Sequence, residues 1–137
     1  AARVAPAHPG AHVLAADTVV ALGRQVLPKA EGEAEVRACL EILSGRSHRV
    51  LTAVAVTAPD GRNAARLVET RLAFKRLSED EVAAYVRSGE GEGKAGGYGI
   101  QGRAGGFVVS LQGSYPAVVG LPLYETLSLL RGLGYPA

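Results

Sequence analysis

The sequence predicts one α/β domain over residues 1–137, built as a mixed, twisted sheet flanked by helices. Three observations carry this expectation. Short β-branched runs alternate with stretches of helical periodicity. Pro59-Asp60-Gly61 sits between two strand-like runs and makes them a hairpin. A chain of 137 residues, 47% hydrophobic and 20% charged, is long and apolar enough for one core. No internal repeat or long linker divides it.

The elements follow in order. Ala1 to Ala5 reads as the end of a helix, and residues 6–10 as a connection. His12 to Leu22 reads as a strand buried on both faces. Gly23-Arg24 turns the chain into a short return strand, Gln25–Leu27, which Pro28 ends. Glu31–Leu43 reads as a helix, because Val36, Cys39, Leu40 and Leu43 recur at helical spacing and acids come early. Gly45 stops it. Val50–Thr57 and Ala64–Phe74 form the hairpin. Ser78-Glu79-Asp80-Glu81 is a capping box that opens a short helix closed by Gly89. Phe107–Leu111 reads as a strand and Gly113–Pro122 as a loop. Leu123–Leu133 reads as a terminal helix with Leu127, Leu130 and Leu133 on its apolar side.

Bulk chemistry narrows the function classes. Net charge is +2 without a basic run, so nucleic acid is not expected as a partner. Fifteen Lys and Arg against thirteen Asp and Glu suit a small anionic ligand equally well. One cysteine, Cys39, excludes an internal disulfide, and zinc-type Cys/His spacing is absent. No run reaches the ~18 apolar residues of a membrane span, and no signal peptide is visible. These features are compatible with a reducing cytoplasm.

Two stretches depart from plain core-building. Asp17 stands in the apolar run Val13–Val20, where an unpaired carboxylate is costly. It either bonds to nearby backbone N–H groups or serves as a catalytic or metal-binding group. The second is residues 89–106, nine of which are glycine. Within it, Lys94-Ala95-Gly96-Gly97-Tyr98-Gly99-Ile100-Gln101-Gly102 combines a point charge, close-approach backbone and a side-chain amide able to read a base edge. Backbone N–H groups of such a loop can also hold phosphate. The lysine precedes the glycines, so this is not a P-loop. Glu90–Gly93 reads as a flexible surface loop. Lys29 is either solvated or phosphate-facing. His48 reads as a loop histidine bonded to backbone, and His8 and His12 as exposed. Tyr85, Tyr115 and Tyr124 read as packing residues.

Four blocks together resemble the Maf family of nucleoside triphosphate pyrophosphatases. They are Ala16-Asp17-Thr18-Val19-Val20, Leu43-Ser44-Gly45-Arg46-Ser47-His48, the Lys94–Gly102 block, and Val118-Val119-Gly120-Leu121-Pro122-Leu123. The resemblance implies a fold related to the inosine-triphosphate pyrophosphatases. It implies a cytoplasmic, often homodimeric enzyme that cuts a nucleoside triphosphate to monophosphate and pyrophosphate with Mg²⁺ or Mn²⁺. Asp17 then matches the catalytic acid–base position and is also a candidate metal ligand. Thr18 and Gln101 match positions linked to base selection, in the form of the dTTP/UTP subgroup. Lys29 and Lys94 match lysines that face the triphosphate, although Lys29 lies in Leu-Pro-Lys-Ala where the family more often has Gly-Lys-Pro. The family's N-terminal Ser/Pro/Arg-Arg phosphate motif has no counterpart here, so an N-terminal segment is expected to be missing. The alternative expectation is a nucleotide-binding or division-regulating protein without turnover.

Overall fold

The computed structural model describes residues 5–136. The expected helix end at Ala1–Val4 lies outside them; Ala5–Ala7 is a single 3₁₀ turn. Five strands make one sheet in the order β2-β1-β3-β4-β5. They are β1 (Val13–Leu22), β2 (Gln25–Leu27), β3 (Ser47–Thr57), β4 (Asn63–Phe74) and β5 (Val108–Gln112). Every pairing between these strands is antiparallel. The helices are α1 (Glu33–Leu43), α2 (Glu79–Ser88), α3 (Tyr115–Val119) and α4 (Leu123–Gly132). The α/β class read from the sequence holds, but the sheet expected to be mixed is antiparallel at every pairing among the described residues.

The local reasons are visible. The β3–β4 hairpin turns at Asp60, whose carboxylate accepts from Arg62 N at 3.0 Å and pairs with Arg62 Nε at 2.7 Å. In α2 the capping box is complete: Ser78 Oγ accepts from Glu81 N, and the Glu81 carboxylate accepts from Ser78 N. Gly89 closes α2 in the left-handed region at φ 73°. β4 and β5 slip register between Ala73 and Phe74, a bulge at the end of the sheet.

One face of the sheet carries the core. Along β3 the residues His48, Val50, Thr52, Val54 and Val56 are all buried, while their odd-numbered neighbours up to Ala55 are not. At one end of this face Val20, Val50, Leu72 and Phe74 pack under α1, α2 and the glycine-rich segment. At the other end Val54 and Val56 pack against Leu129, with Leu121, Leu130 and Leu133 beside them. Between these two clusters lies a polar seam of Thr52 and Thr70, both fully buried.

Several expectations need correction. Leu14, Ala15, Ala16 and Asp17 are exposed, so β1 is buried only from Val20 onward, where α1 and the glycine-rich segment cover it. Residues 115–119 form α3, which two prolines masked: Pro116 sits in its first turn and Pro122 lies beyond its end. In α4 the buried residues are Thr126 and Leu129, with Leu127 turned outward. Tyr85 is a core residue, but Tyr115 and Tyr124 are exposed. His12 is half-buried, its Nε2 is 2.9 Å from Leu133 O, and its ring meets Tyr135 edge-on.

His48 is the largest correction. It is 2% exposed, not a loop residue, and its partner is a side chain. Nε2 lies 2.6 Å from Tyr98 Oη, and the Phe74 and Tyr98 rings meet the imidazole edge-on. Nδ1 is buried without a partner among the described residues. Burial holds the histidine pKa down, to about 4 from an ordinary 6.5.

Two stability predictions follow from the core. Leu40 is fully buried at the centre of α1; Leu40→Ala should cost roughly 3 kcal/mol in denaturant unfolding. Between pH 6.5 and about 4 the unfolded chain binds a proton at His48 that the folded chain refuses. The histidine's contribution is therefore fully present above pH 6.5 and falls as the medium acidifies, by roughly 3 kcal/mol once pH 4 is passed. His48→Gln should flatten the unfolding free energy over that window; an unchanged slope would contradict this account.

Candidate active site

A cavity of about 460 Å³ opens between the two helical groups, on the buried face of the sheet. That volume suits a nucleotide-sized ligand. β1 and β3 supply the floor through Ala16, Asp17, Thr18, Val20 and Val50. Lys29, just past β2, and residues 93–95 form one side. Residues 98–102 and Glu90 form another, and Val118, Val119 and Gly120 at the end of α3 complete the wall. Asp17, Thr18, Lys29, Lys94 and Gln101, the five candidates singled out in the sequence, all line this one space.

The glycine-rich segment is folded onto the sheet. Lys29 and Ala95 form an isolated antiparallel bridge. Ala30 N donates to Lys94 O at 3.1 Å, and Gly93 N returns to Ala30 O at 2.7 Å. Gly96 adopts φ 67°, and a Cβ there would stand 2.9 Å from the Val20 side chain. Only glycine allows that approach. Tyr98 is buried against His48, and Tyr85 Oη accepts from Gly99 N at 3.1 Å. Burial raises both phenol pKa values, with Tyr85 adding to the effect on Tyr98. Both phenols therefore stay neutral as anchors.

Much of the segment's backbone is bonded to the fold. The N–H groups of Gly93, Lys94, Gly96, Gly97 and Gly102 donate to backbone carbonyls of the fold, and that of Gly99 to Tyr85. Those N–H groups hold the segment in place, and the exposed side chains of Lys29 and Lys94 stand beside it at the cavity. Glu90–Gly93 is likewise no free loop. Glu90 accepts from Arg103 N at 2.9 Å and pairs with Arg103 Nε at 3.1 Å, closing the segment on itself.

Asp17 is exposed at the cavity floor, so the desolvation penalty expected for it does not arise. Its Oδ1 accepts from Thr18 N at 2.9 Å, the backbone bond that was one of its two expected roles. That bond ties the carboxylate to the backbone of its own strand, where Asp17 pairs with exposed Ala53. Thr18 pairs directly with Thr52 across the β1–β3 ladder, and their hydroxyl oxygens are 3.4 Å apart.

Cys39 is outside this space. It lines a smaller groove of about 200 Å³ with Val26, Pro28 and Ile42, and burial together with Glu35 raises its thiol pKa. That thiol is a packing group, not a nucleophile.

Sequence reasoning missed Glu90, Tyr98, Thr52 and His48 as parts of the site's frame. Tyr98 and His48 lay inside the quoted blocks without a role. Their contact spans fifty residues of sequence and leaves no local signal.

Comparison with known proteins agrees with this geometry. The profile of the Maf family, described as Maf-like protein, matches residues 1–133. A dTTP/UTP pyrophosphatase of Caulobacter vibrioides is 69% identical over 135 residues, covering 98% of this chain and 70% of that protein. One from Maricaulis maris is 65% identical, covering 96% of this chain and 65% of the relative. One from Rhodopseudomonas palustris is 63% identical, covering 93% and 61%. The chain thus spans about two thirds of the length of these relatives, between 61% and 70%. The extent of the profile match and these identities place the chain in the Maf family.

Proposed function

We propose that the chain carries the catalytic site of a nucleoside triphosphate pyrophosphatase acting on dTTP and UTP. The observation that carries this reading is that Asp17, Thr18, Lys29, Lys94 and Gln101 all line a single cavity. The names of the relatives add the substrate class.

The chemistry is attack of water on the α-phosphorus, with cleavage of the bond to the oxygen bridging the α- and β-phosphates. Monophosphate and pyrophosphate result. The reaction needs a base for the water proton, countercharge for the phosphates and in-line placement. In this reading Asp17 takes the proton or holds a divalent ion. Lys29 and Lys94 face the triphosphate, and Thr18 and Gln101 face the base. The buried seam beneath them keeps the floor rigid.

The donor set bears on the metal. Among the described residues no three His, Cys, Asp or Glu side chains gather into a metal cage. Asp17 offers one hard carboxylate at the cavity floor. Mg²⁺ is commonly held by one or two carboxylates plus substrate phosphates and water. The residues present therefore fit a Mg²⁺ or Mn²⁺ ion that arrives with the triphosphate. When bound, such an ion would draw charge from the phosphoryl oxygens. No helix among the described residues is long and apolar enough to cross a membrane, and we place the enzyme in the cytoplasm with its nucleotide substrates.

The full-length protein should release pyrophosphate from dTTP and UTP in Mg²⁺ and stop when the metal is chelated. Asp17→Asn should lower kcat by about 10²–10⁴-fold. Lys94→Ala should act more strongly on KM. Full activity in Asp17→Asn would contradict the assigned role. Tight nucleotide binding without pyrophosphate release would favour a binding protein instead.

A further inference from the structure

We propose that Glu90 is a positioning residue: its carboxylate clamps the turn that carries Gln101 and so sets where that side chain stands in the cavity. The proposal rests on the reading of the cavity as a nucleotide site. It gives a task to a charged cavity residue that the reaction above leaves without one.

Gly99, Ile100, Gln101 and Gly102 form a turn, closed by Gly102 N donating to Gly99 O at 3.3 Å. Ile100 is buried, and Gln101 is exposed and lines the cavity. Both feet of the turn are tied to α2. At the first foot Gly99 N donates to Tyr85 Oη at 3.1 Å. At the second, Arg103 N donates to Glu90 Oε1 at 2.9 Å, and Arg103 Nε stands 3.1 Å from Glu90 Oε2. Glu90 is itself anchored to the end of α2. Its N donates to Ser88 Oγ at 3.2 Å, and Ser88 Oγ donates to Tyr85 O at 2.5 Å. Buried Tyr85 is therefore the root of both ties.

The carboxylate lies against the chain at Gly102, where a Cβ would collide with Glu90 Oε1. Glycine at 102 makes room for the clamp. Glu90 also lines the cavity, beside Lys94 and across from Lys29 in the chain order of its walls. A carboxylate free to face a triphosphate would repel it. Here both oxygens are engaged by one residue, through a backbone N–H and a guanidinium. That commitment suits a clamp and not a ligand-binding group. Without it the second foot of the turn is loose, while Tyr85 still holds the first and Ile100 stays in the core. The loss is local to Gln101.

Steady-state kinetics of the full-length protein with UTP and Mg²⁺ test this, because KM does not depend on the folded fraction. Glu90→Gln keeps the reach and an oxygen to accept from Arg103 N, without the charge. Glu90→Asp keeps the charge and falls one methylene short. Glu90→Ala and Glu90→Asp should raise KM about tenfold and leave kcat within about twofold of wild type. Glu90→Gln should hold KM within about threefold of wild type. Gln101→Ala should raise KM by itself, and adding Glu90→Ala to it should change nothing more. An unchanged KM in Glu90→Ala or in Gln101→Ala, or a Glu90→Ala effect that persists in full beside Gln101→Ala, overturns the inference and leaves the pyrophosphatase reading intact. So does the reverse order, in which Glu90→Gln lowers KM and Glu90→Asp matches wild type; the carboxylate then acts on the phosphates by its charge. Release of pyrophosphate from no nucleotide overturns the underlying reading and the inference with it.

Discussion

The close packing of the glycine-rich segment on β1 and α1 is the constraint on which the rest depends. Gly96 meets Val20, Gly97 meets Cys39, and the Lys29–Ala95 bridge joins the segment to the chain after β2. Without this contact the cavity has a floor but lacks two of its walls. The contact also explains the unusual glycine density. The glycines remove side chains where backbone must touch a covered strand and helix. The N–H groups of Gly93, Gly96, Gly97, Gly99 and Gly102 are used in making that fit.

Two buried aromatic anchors make the packing directional. Tyr98 reaches into the core to His48, and Tyr85 reaches out of α2 to the backbone at Gly99. Phe74 and Phe107 fill the space between them with edge-on contacts. Such contacts contribute about 1 kcal/mol each beyond their burial, and they fix orientation. Ile100, next to Gln101 in the chain, is buried in the same cluster as the two anchors. On the opposite wall, Ala117 of α3 and its N-cap Ser114 accept hydrogen bonds from Thr52 and Thr70, and Val118 packs against the core. The cavity therefore sits where the hydrophobic core is interrupted by a polar seam.

Much of this was legible from residues alone, for definable reasons. Periodicity found α1 and the hairpin, because each buries one continuous face. The capping box found α2, because its signal is local. The chain segment 115–119 was lost because prolines at its edges look like breakers. Asp17 was found for a partly mistaken reason: its apolar neighbours are exposed or small, so the surroundings are less greasy than the letters suggest. The five site candidates were identified, but the frame beneath them was not. Thr52 looks like any strand threonine until the β1–β3 register puts it opposite Thr18. His48 looks like a loop residue until the strand is seen to begin at Ser47.

The account's central claim is that a nucleotide sits between the pinned segment and the floor of the sheet. Backbone amide NMR of the full-length protein, titrated with a UTP analogue whose α–β bridge resists hydrolysis, tests this most directly. The claim predicts perturbations at residues 16–18, 94–102 and 118–120, with the opposite face of the sheet quiet. Perturbations confined to the groove of Val26, Cys39 and Ile42, or none at saturating analogue, would contradict it.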